Sequence, residues 1–360
     1  MFEDSRIIPG WCKREATDMR ILLVNVSAPC YNLGLEKGRL WWDAQGATVE
    51  VAADIPSLFL YGYNVVWISA IFSWHVPALI EIAQIAIRSG CQVEVGGPGT
   101  FGVCDMIYAE TGLHPQATPD PRFERQQGSY RMVFWSRGCP AKNCSLGFPK
   151  NGGIPICSVP AMEGWRYTLY DSVSPAPIIL DNNLSALPRN HQERIVDRTL
   201  AAGFGRVDAN SGFEPRSIRP WTIELWRRLP LVVWRFAYDE LGERKAVLRT
   251  IAMFDEAGGI PRRKLRIYCL AGNEPIEACE QRVREIQSWG CLPLVQRRRP
   301  LDWVGGPLPV LYDWTEQLLI NFQRWGNRLS KGIPFSEYRR GFKNRHRSLS
   351  FFERVLSSGL

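Results

Sequence analysis

Two cysteines separated by four residues are the part of the sequence best suited to chemistry. Cys139 and Cys144 lie in the stretch 136–148, and Gly138 directly precedes the first of them. Thiolates are the usual ligands of iron–sulfur clusters and common ligands of zinc. In a reducing compartment, a local cysteine group more often binds metal or takes part in catalysis than forms a disulfide. The pair therefore predicts a metal site, with iron and zinc both open.

The composition is that of an ordinary globular protein. The chain has 360 residues, of which 45% are hydrophobic and 22% are charged, so it can form one large core or two smaller ones. It has no apolar run long enough to span a membrane, and residues 1–20 lack the apolar segment of a signal peptide. We therefore expect a cytoplasmic protein with no membrane partner, whose ten cysteines stay reduced.

The net charge of +8 admits a nucleic-acid partner. Much of the positive excess lies late in the chain, in residues 262–264, 297–299 and 339–347. A basic surface that binds no polymer explains the same charge. Both interpretations stay open.

Residues 1–104 are predicted to form a doubly wound, Rossmann-like α/β domain. Short apolar runs at 20–26, 64–70 and 91–95 suit buried parallel strands. Residues 76–89 carry apolar side chains at helical spacing, and Gly90 ends that helix. Such folds bind ligands beyond the carboxyl ends of their strands. Residues 105–130 are polar and rich in proline, which predicts a linker.

Residues 131–329 are predicted to form a partial (β/α)6 barrel, because strand and helix patterns alternate there. The predicted strands are 131–136, 177–180, 206–209, 232–237, 265–270 and 293–296. The predicted helices are 191–202, 222–228, 243–257, 276–289 and a closing helix at 312–328. The cysteine pair directly follows the first of these strands, where a β/α barrel builds its active site. Residues 330–360 are predicted to be a basic C-terminal tail.

With these motifs in place, the sequence resembles the radical S-adenosylmethionine (SAM) superfamily. Its members usually carry Cys-x3-Cys-x2-Cys after the first barrel strand, often preceded by Arg-Gly. Here the first gap has four residues, and Gly147 stands where the third cysteine belongs. Cys157 looks like the displaced third ligand, because a similar hydrophobic-Pro-x-x-Glu-Gly stretch follows it, ending at Glu163 and Gly164. The resulting spacing is Cys-x4-Cys-x12-Cys, and a loop insertion of this length is feasible.

The resemblance implies that Cys139, Cys144 and Cys157 hold a 4Fe–4S cluster. The amino and carboxylate groups of SAM would chelate the open iron of such a cluster, and an external electron donor would drive the reductive cleavage that starts radical chemistry on the substrate. Two other interpretations stay open: ordinary buried thiols, or a barrel that has lost its cluster. Structural zinc is a third, although a closed zinc site needs a fourth ligand, and no further Cys or His lies nearby.

The ends of later strands also resemble this superfamily, and they supply candidate SAM contacts. Asp181, Asn182 and Asn183 could accept the ammonium group, and Asn210 and Glu214 could reach the ribose. Arg216 or Arg235 could pair with the carboxylate through a bidentate fork. The resemblance assigns Gly272 to a close approach of the backbone to the adenine. The alternative for each polar residue is a strand cap or a surface ion pair.

The amino-terminal unit resembles the cobalamin-binding-like domain that precedes many radical SAM barrels. The common cobalamin motif Asp-x-His-x-x-Gly is absent from the sequence. Cobalamin is therefore a doubtful cofactor, and the unit is expected to be vestigial or to hold substrate. Two functions follow: a radical SAM enzyme on an unknown substrate, which could be a nucleic acid, or a non-catalytic iron–sulfur or zinc binding module with a nucleic-acid partner.

Overall fold

The computed structural model describes residues 18–53, 62–120, 124, 126–140, 157–328 and 333–338. Over these residues the protein is a mixed α/β structure whose sheets are built mainly from parallel strands. The predicted α/β class is therefore confirmed. Within the described part of the chain, no helix combines the length and apolarity needed to cross a lipid bilayer.

The amino-terminal part forms a parallel sheet with the strand order β2-β1-β3-β4. Its strands are β1 (Arg20–Asn25), β2 (Thr48–Ala52), β3 (Val65–Ser69) and β4 (Gln92–Gly96). Every residue of β3 is buried, as expected for a central strand covered on both faces. The accompanying helices are α1 (Leu33–Ala44) between β1 and β2, α2 (Val76–Arg88) between β3 and β4, and α3 (Cys104–Thr111).

The rest of the described chain contributes two short parallel sheets, each in sequence order. The first contains β5 (Met132–Val133), β8 (Ile178–Ile179) and β9 (Asp208–Ala209); the second contains β10 (Trp234–Ala237), β11 (Leu265–Ala271) and β12 (Leu292–Arg297). Parallel bridges from Val207 to Leu231 and from Phe213 to Phe236 connect the two. The strands β5, β8, β9, β10, β11 and β12 thus follow one another side by side in sequence order.

A helix follows almost every strand of this series. They are α4 (Val159–Met162), α5 (Arg189–Ala201), α6 (Pro220–Trp226), α7 (Arg244–Ala257), α8 (Ile276–Ser288) and α9 (Glu316–Asn327). Each longer helix buries one face; in α7 the buried apolar residues are Val247, Ile251 and Phe254, at helical spacing. Burial of these faces against the strands forms one continuous hydrophobic core.

The predicted first strand, 131–136, is divided in two. Its first half is β5, and its end belongs to β6 (Ser136–Arg137), which pairs antiparallel with β7 (Thr168–Leu169). This turn toward β7 carries the chain away from the parallel series just before Cys139. The sequence pattern, a single apolar run, did not indicate the change of partner.

Helix α4 and strand β7 were not predicted, and neither were three elements of the amino-terminal part. Helix α1 was missed because it contains Gly34 and Gly38, which disfavour helix; a Cβ at Gly38 would lie 2.7 Å from the Trp67 ring, so the glycine serves packing. Strand β2 was missed because it lies at the sheet edge and is largely exposed. Helix α3 occupies residues where the sequence predicted the start of the linker.

Candidate functional site

The backbone turn before Cys139 requires glycine. Gly138 has φ +87°, and a Cβ there would collide with the carbonyl oxygen of Arg166. The N–H of Gly138 donates to Oε2 of Glu163 at 2.9 Å, and the N–H of Cys139 donates to the carbonyl of Gly164 at 3.2 Å. The Arg-Gly-Cys motif therefore forms a hydrogen-bonded turn immediately after β6.

The same turn brings Cys157 into this region. Cys157 directly precedes Ser158 and α4, and the residues after α4 are the Glu163 and Gly164 that bind the backbone around Cys139. One short helical turn thus separates Cys157 from the contacts of Cys139. Both thiols are partly exposed.

The third predicted ligand, Cys144, lies outside the described residues. Among the residues that the structure describes, no group of three or more His, Cys, Asp or Glu side chains is arranged to hold a metal ion. Only two of the three predicted thiol ligands, Cys139 and Cys157, are among these residues. The three-cysteine site stays a prediction.

Glu163 connects several strand ends around the cysteines. Its Oε1 accepts from Nη1 of Arg137 at 3.2 Å, and its Oε2 accepts from Nδ2 of Asn182 at 2.7 Å as well as from Gly138. The neighbouring Asn183 places its Nδ2 3.9 Å from the sulfur of Cys139, while its Oδ1 caps the turn at Ala186. Asn182 and Asn183, predicted from the second barrel strand, do converge on the Cys139 turn.

A buried ion network lies behind this turn. Arg137 donates to both carboxylate oxygens of Glu124, at 3.1 and 3.2 Å, and stacks on the Phe134 ring with its guanidinium 3.5 Å from the ring centre. Lys37, from α1, lies 3.4 Å from Glu124 Oε1 and donates to the Glu124 carbonyl at 2.7 Å. Burial lowers the pKa of Lys37, whereas Arg137 and Lys37 together lower the pKa of Glu124 despite its burial. With Glu163, the network holds two cations and two anions.

Asp181 does not have the environment predicted for it. The side chain is fully buried, its Oδ2 accepts from the Trp135 N–H at 3.0 Å, and its Oδ1 accepts from the Ser136 hydroxyl at 2.6 Å. Burial raises the pKa of Asp181 to about 6. Both oxygens therefore hold the backbone between β5 and β6, which corrects the expectation that Asp181 accepts a ligand ammonium.

Arg216 and Arg235 were predicted to bind the carboxylate of SAM, but each already pairs with a carboxylate side chain of the protein. Arg216 donates to Glu214 through Nε at 2.6 Å and Nη2 at 3.1 Å. Arg235 pairs with Asp208, through Nη2 at 2.9 Å, and burial lowers the pKa of Arg235. The two arginines differ in one respect: the Nε of Arg235 is buried without a hydrogen-bond partner among the described residues.

The remaining predicted contacts are Asn210 and Gly272. Asn210 is exposed at the end of β9, and its carbonyl accepts from the Tyr268 hydroxyl at 3.3 Å. Gly272 has φ +94°, and a Cβ there would lie 2.9 Å from Leu319 of α9. The contacts of Gly272 thus give it a packing role against α9.

A cavity of about 650 Å³ opens beside the cysteine turn. One wall consists of the carboxyl ends of β3 and β4 and the start of α1; the other consists of the ends of β5, β8 and β9. Arg137, Glu163 and Asn182 face it, as do Ser158 and Val159, the two residues after Cys157. The cavity therefore lies between the amino-terminal sheet and the strands that carry the candidate site.

Sequence reasoning missed Lys37 and Glu124. Glu124 falls in the predicted linker, and its contact with Lys37 spans 87 positions, so no local pattern indicates it. In the structure, the side chains of both residues are charged and buried, and this burial is what identifies them as candidate site residues. No protein-family model matches the sequence, and a search of curated proteins returned no match.

Proposed function

We propose that the protein is a radical SAM enzyme whose 4Fe–4S cluster is held by Cys139, Cys144 and Cys157. The observation that carries the proposal is the glycine turn that presents Cys139 after the first strand of a parallel series, with Asn183 of the second strand 3.9 Å from its sulfur. Active sites of β/α barrels lie at this position.

The division of the chain into a Rossmann-like domain and a partial barrel is part of the same proposal. The amino-terminal strand order β2-β1-β3-β4 supports a doubly wound, Rossmann-like domain at 1–104. The side-by-side succession from β5 to β12, with helices between strands, supports a partial (β/α)6 barrel at 131–329. The intervening residues 105–130 would join them, and 330–360 would form the basic tail.

The donor set fits the proposed cluster. Cys139 and Cys157 are partly exposed thiols, and the residues after Cys157 bind the backbone of the Cys139 turn, so both would be accessible as thiolate ligands of a cluster. When bound, the cluster and SAM would supply the reductive cleavage that begins radical chemistry. Glu163 and Asn183 would fix the position of Cys139, because they bind its backbone turn and contact its sulfur.

The residues around the turn also fit part of a SAM site. Asn182 and Asn210 line the cavity and offer amide groups to a polar ligand. Arg235 is not among the residues that line the cavity and pairs with Asp208, so its contact with the SAM carboxylate rests on the resemblance alone. Asp181 would act indirectly, by holding Trp135 and Ser136 so that the chain reaches Cys139 in the observed direction.

The proposal is tested by anaerobic reconstitution of the full chain with iron and sulfide. The proteins to compare are wild type, Cys139→Ala, Cys144→Ala, Cys157→Ala and the control Cys104→Ala. Cys104 begins α3, and its thiol contacts the carbonyls of Thr100 and Phe101, just before that helix. We expect wild type and Cys104→Ala to bind iron and sulfide and show the cluster absorbance, and each of the other variants to lose them.

A Cys157→Ala variant with wild-type iron content would contradict the assignment of the third ligand. A wild-type protein that binds zinc tightly and forms no cluster would instead support the non-catalytic binding module. That module would also fail to release 5′-deoxyadenosine from SAM under a strong reductant.

A further inference from the structure

Three consecutive arginines, which we call the arginine segment, end the last strand of the parallel series. Arg297 is the final residue of β12, and Arg298 and Arg299 follow it. Within the described part of the chain, no carboxylate forms an ion pair with any of the three. Nη1 of Arg298 donates to the Pro309 carbonyl at 3.4 Å, but Nε of Arg298 is buried with no acceptor among the described residues. The segment is therefore a cluster of positive charges without close anions.

The position of the arginine segment separates it from the other basic segment that the structure describes in full, residues 262–264. That segment directly precedes β11, and Arg262 there donates to both carboxylate oxygens of Asp255, at 2.6 and 3.1 Å. The arginine segment lies instead at the carboxyl end of β12. Because the strands of the series are parallel, it shares this end with the strands that carry the candidate site.

Aromatic rings hold the last arginine of the segment. The guanidinium carbon of Arg299 lies 4.2 Å from the ring centre of Trp74 and 5.4 Å from that of Trp303. Trp74 stacks on Phe72, with ring centres 4.5 Å apart and an angle of 7° between the planes. Phe72 lines the cavity beside the cysteine turn. The stack of rings thus runs from the cavity lining to the arginine segment.

The chain after the arginine segment is fixed against the amino-terminal sheet. The Ser73 hydroxyl donates to the carbonyl of Trp303 at 2.6 Å. A Cβ at Gly102 would lie 2.7 Å from backbone atoms of Leu301, so the two segments approach closely. Cations and rings held in this way are arranged before a ligand arrives, which lowers the entropy cost of binding.

The surroundings of the arginine segment do not neutralise it. Burial lowers the pKa of Arg298, against a smaller opposite effect of Asp302. Burial and the charge of Arg297 lower the pKa of Arg299, against a smaller opposite effect of Glu316. Arginine nevertheless stays protonated in proteins. The like charges therefore repel one another, and a bound anion would relieve that repulsion.

From these observations we infer that the arginine segment, Trp74 and Trp303 bind single-stranded nucleic acid. Guanidinium groups bind phosphate oxygens, and the bases of a single strand stack on aromatic rings. Both tryptophans are partly exposed, so ring surface is accessible beside the cations. In a duplex the bases are already stacked and paired, which favours the single strand. That the bound strand is also the substrate rests on the proposed function, whereas the binding itself does not.

Fluorescence anisotropy of a labelled oligothymidylate of about twelve nucleotides measures binding to the full-length protein. We expect the single strand to bind at least about tenfold more tightly than a duplex of the same length, with an affinity that falls as salt rises. The inference is overturned by absence of binding at low salt, or by a duplex that binds as tightly. Inorganic polyphosphate that displaces the strand equally well at equal phosphate concentration would also overturn it, because polyphosphate has no bases.

Charge variants locate the phosphate contacts. Arg297→Gln/Arg299→Gln removes two cations of the segment, and the control Arg263→Gln/Lys264→Gln removes two exposed cations before β11. We expect the first variant to bind at least about tenfold more weakly. The slope of log affinity against log salt should become shallower by about 1.4, at about 0.7 per phosphate contact.

The control is expected to keep the affinity and the slope of wild type. If the first double variant does not fold, Arg297→Gln replaces it, with an expected change in slope of about 0.7. A wild-type slope in the segment variant, or an equal loss in the control, would refute the location.

Tryptophan variants test the stacking. The control for Trp74→Leu is Trp221→Leu, because Trp221 is also partly exposed and lies 5.3 Å from the guanidinium of Arg189, which pairs with Glu193. We expect Trp74→Leu to weaken strand binding at least about fivefold with an unchanged salt slope, since the charges remain. Trp303→Leu replaces it if it does not fold. Wild-type affinity in the stacking variant would contradict the inference.

Failure of this inference can be told apart from failure of the proposed function. The anisotropy assay requires no iron, no reductant and no turnover. If the chain forms its cluster and cleaves SAM but binds no strand, only the partner is wrong. If it binds the strand but assembles no cluster, the binding surface stands and the radical SAM proposal falls.

Discussion

At the scale of single residues, Gly138 and Gly164 lie on either side of the backbone turn at Cys139. Their φ angles are nearly the same, but their surroundings differ. Gly138 has φ +87° and no room for a Cβ, whereas Gly164 has φ +86° and no neighbouring atom within 4 Å of that position. Gly164→Ala should therefore lose only about 1 kcal/mol of unfolding free energy, the backbone cost. Gly138→Ala should lose about 3 kcal/mol or more, because the collision with Arg166 adds to it.

Urea unfolding of the two variants checks this prediction. The iron content after reconstitution is a second measurement. It should fall in Gly138→Ala and stay at the wild-type level in Gly164→Ala. Equal losses of stability in the two variants would show that the turn at Cys139 is less constrained than its geometry indicates.

Asp181 predicts a pH dependence of stability. Burial raises its pKa to about 6, against about 3.9 for an unfolded aspartate. The folded state therefore holds the proton more tightly, so this contribution to stability is fully present below about pH 4 and is lost as pH rises through about 6. Asp181→Asn keeps an acceptor for the Trp135 N–H and removes the titration.

The measurement is the free energy of unfolding of wild type and Asp181→Asn at about pH 4 and about pH 7.5. We expect the variant to gain about 2 kcal/mol relative to wild type between the two conditions, at 1.36 kcal/mol per pKa unit. Burial also raises the pKa of Asp239 to about 6 and of Glu243 to about 7, but these groups are common to both proteins and cancel. If the difference in unfolding free energy between wild type and Asp181→Asn were the same at both pH values, it would contradict the raised pKa of Asp181.

Residue types at strand ends predicted the site only in part. Asn182 and Asn183 lie near Cys139, because neighbouring parallel strands end at one edge, and their contact with SAM stays a prediction. The sequence could not show that Asp181 points inward, since a one-residue change of register reverses the face of a side chain. It also did not indicate that Arg216 pairs with Glu214, two residues away, or that Arg235 pairs with Asp208 of β9.

At the scale of elements, helix α9 packs closely on the last strand of the parallel series. A Cβ at Gly326 would collide with the Val295 side chain of β12. Gly326→Ala should therefore destabilise the protein by about 1–3 kcal/mol, although alanine favours helix. Gly205→Ala is the control, because nothing lies within 4 Å of a Cβ there.

Thermal or urea unfolding of the two variants makes the comparison. A Gly326→Ala protein as stable as wild type would mean that α9 does not close against β12 as described. The closing helix itself was predicted from its apolar spacing, but four residues too long at the start, because residues 312–315 are apolar or turn-forming and adopt no helix.

The elements that the sequence predicted best are the amphipathic helices α2, α5, α7 and α8, whose bounds agree within two residues. Their pattern is local, so the sequence alone carries it. The short strands β5 and β6 show the opposite case. The choice between a parallel partner, β8, and an antiparallel one, β7, depends on segments more than thirty residues away.

At the scale of the whole molecule, the network of Lys37, Glu124, Arg137 and Glu163 joins the amino-terminal sheet to the candidate site. Lys37 belongs to α1, Glu124 to the predicted linker, and the other two to the cysteine turn. All four line the cavity. This arrangement places a buried, neutral set of charges where the two halves of the chain meet, and only the folded structure could reveal it.

The central claim is that this chain cleaves SAM, and the most direct measurement is 5′-deoxyadenosine release by the reconstituted full chain under a strong reductant. The account predicts release by wild type and by the Cys104→Ala control, and none by Cys139→Ala or Cys157→Ala. Wild-type protein with a complete cluster and no 5′-deoxyadenosine, or release that persists in Cys157→Ala, would contradict it.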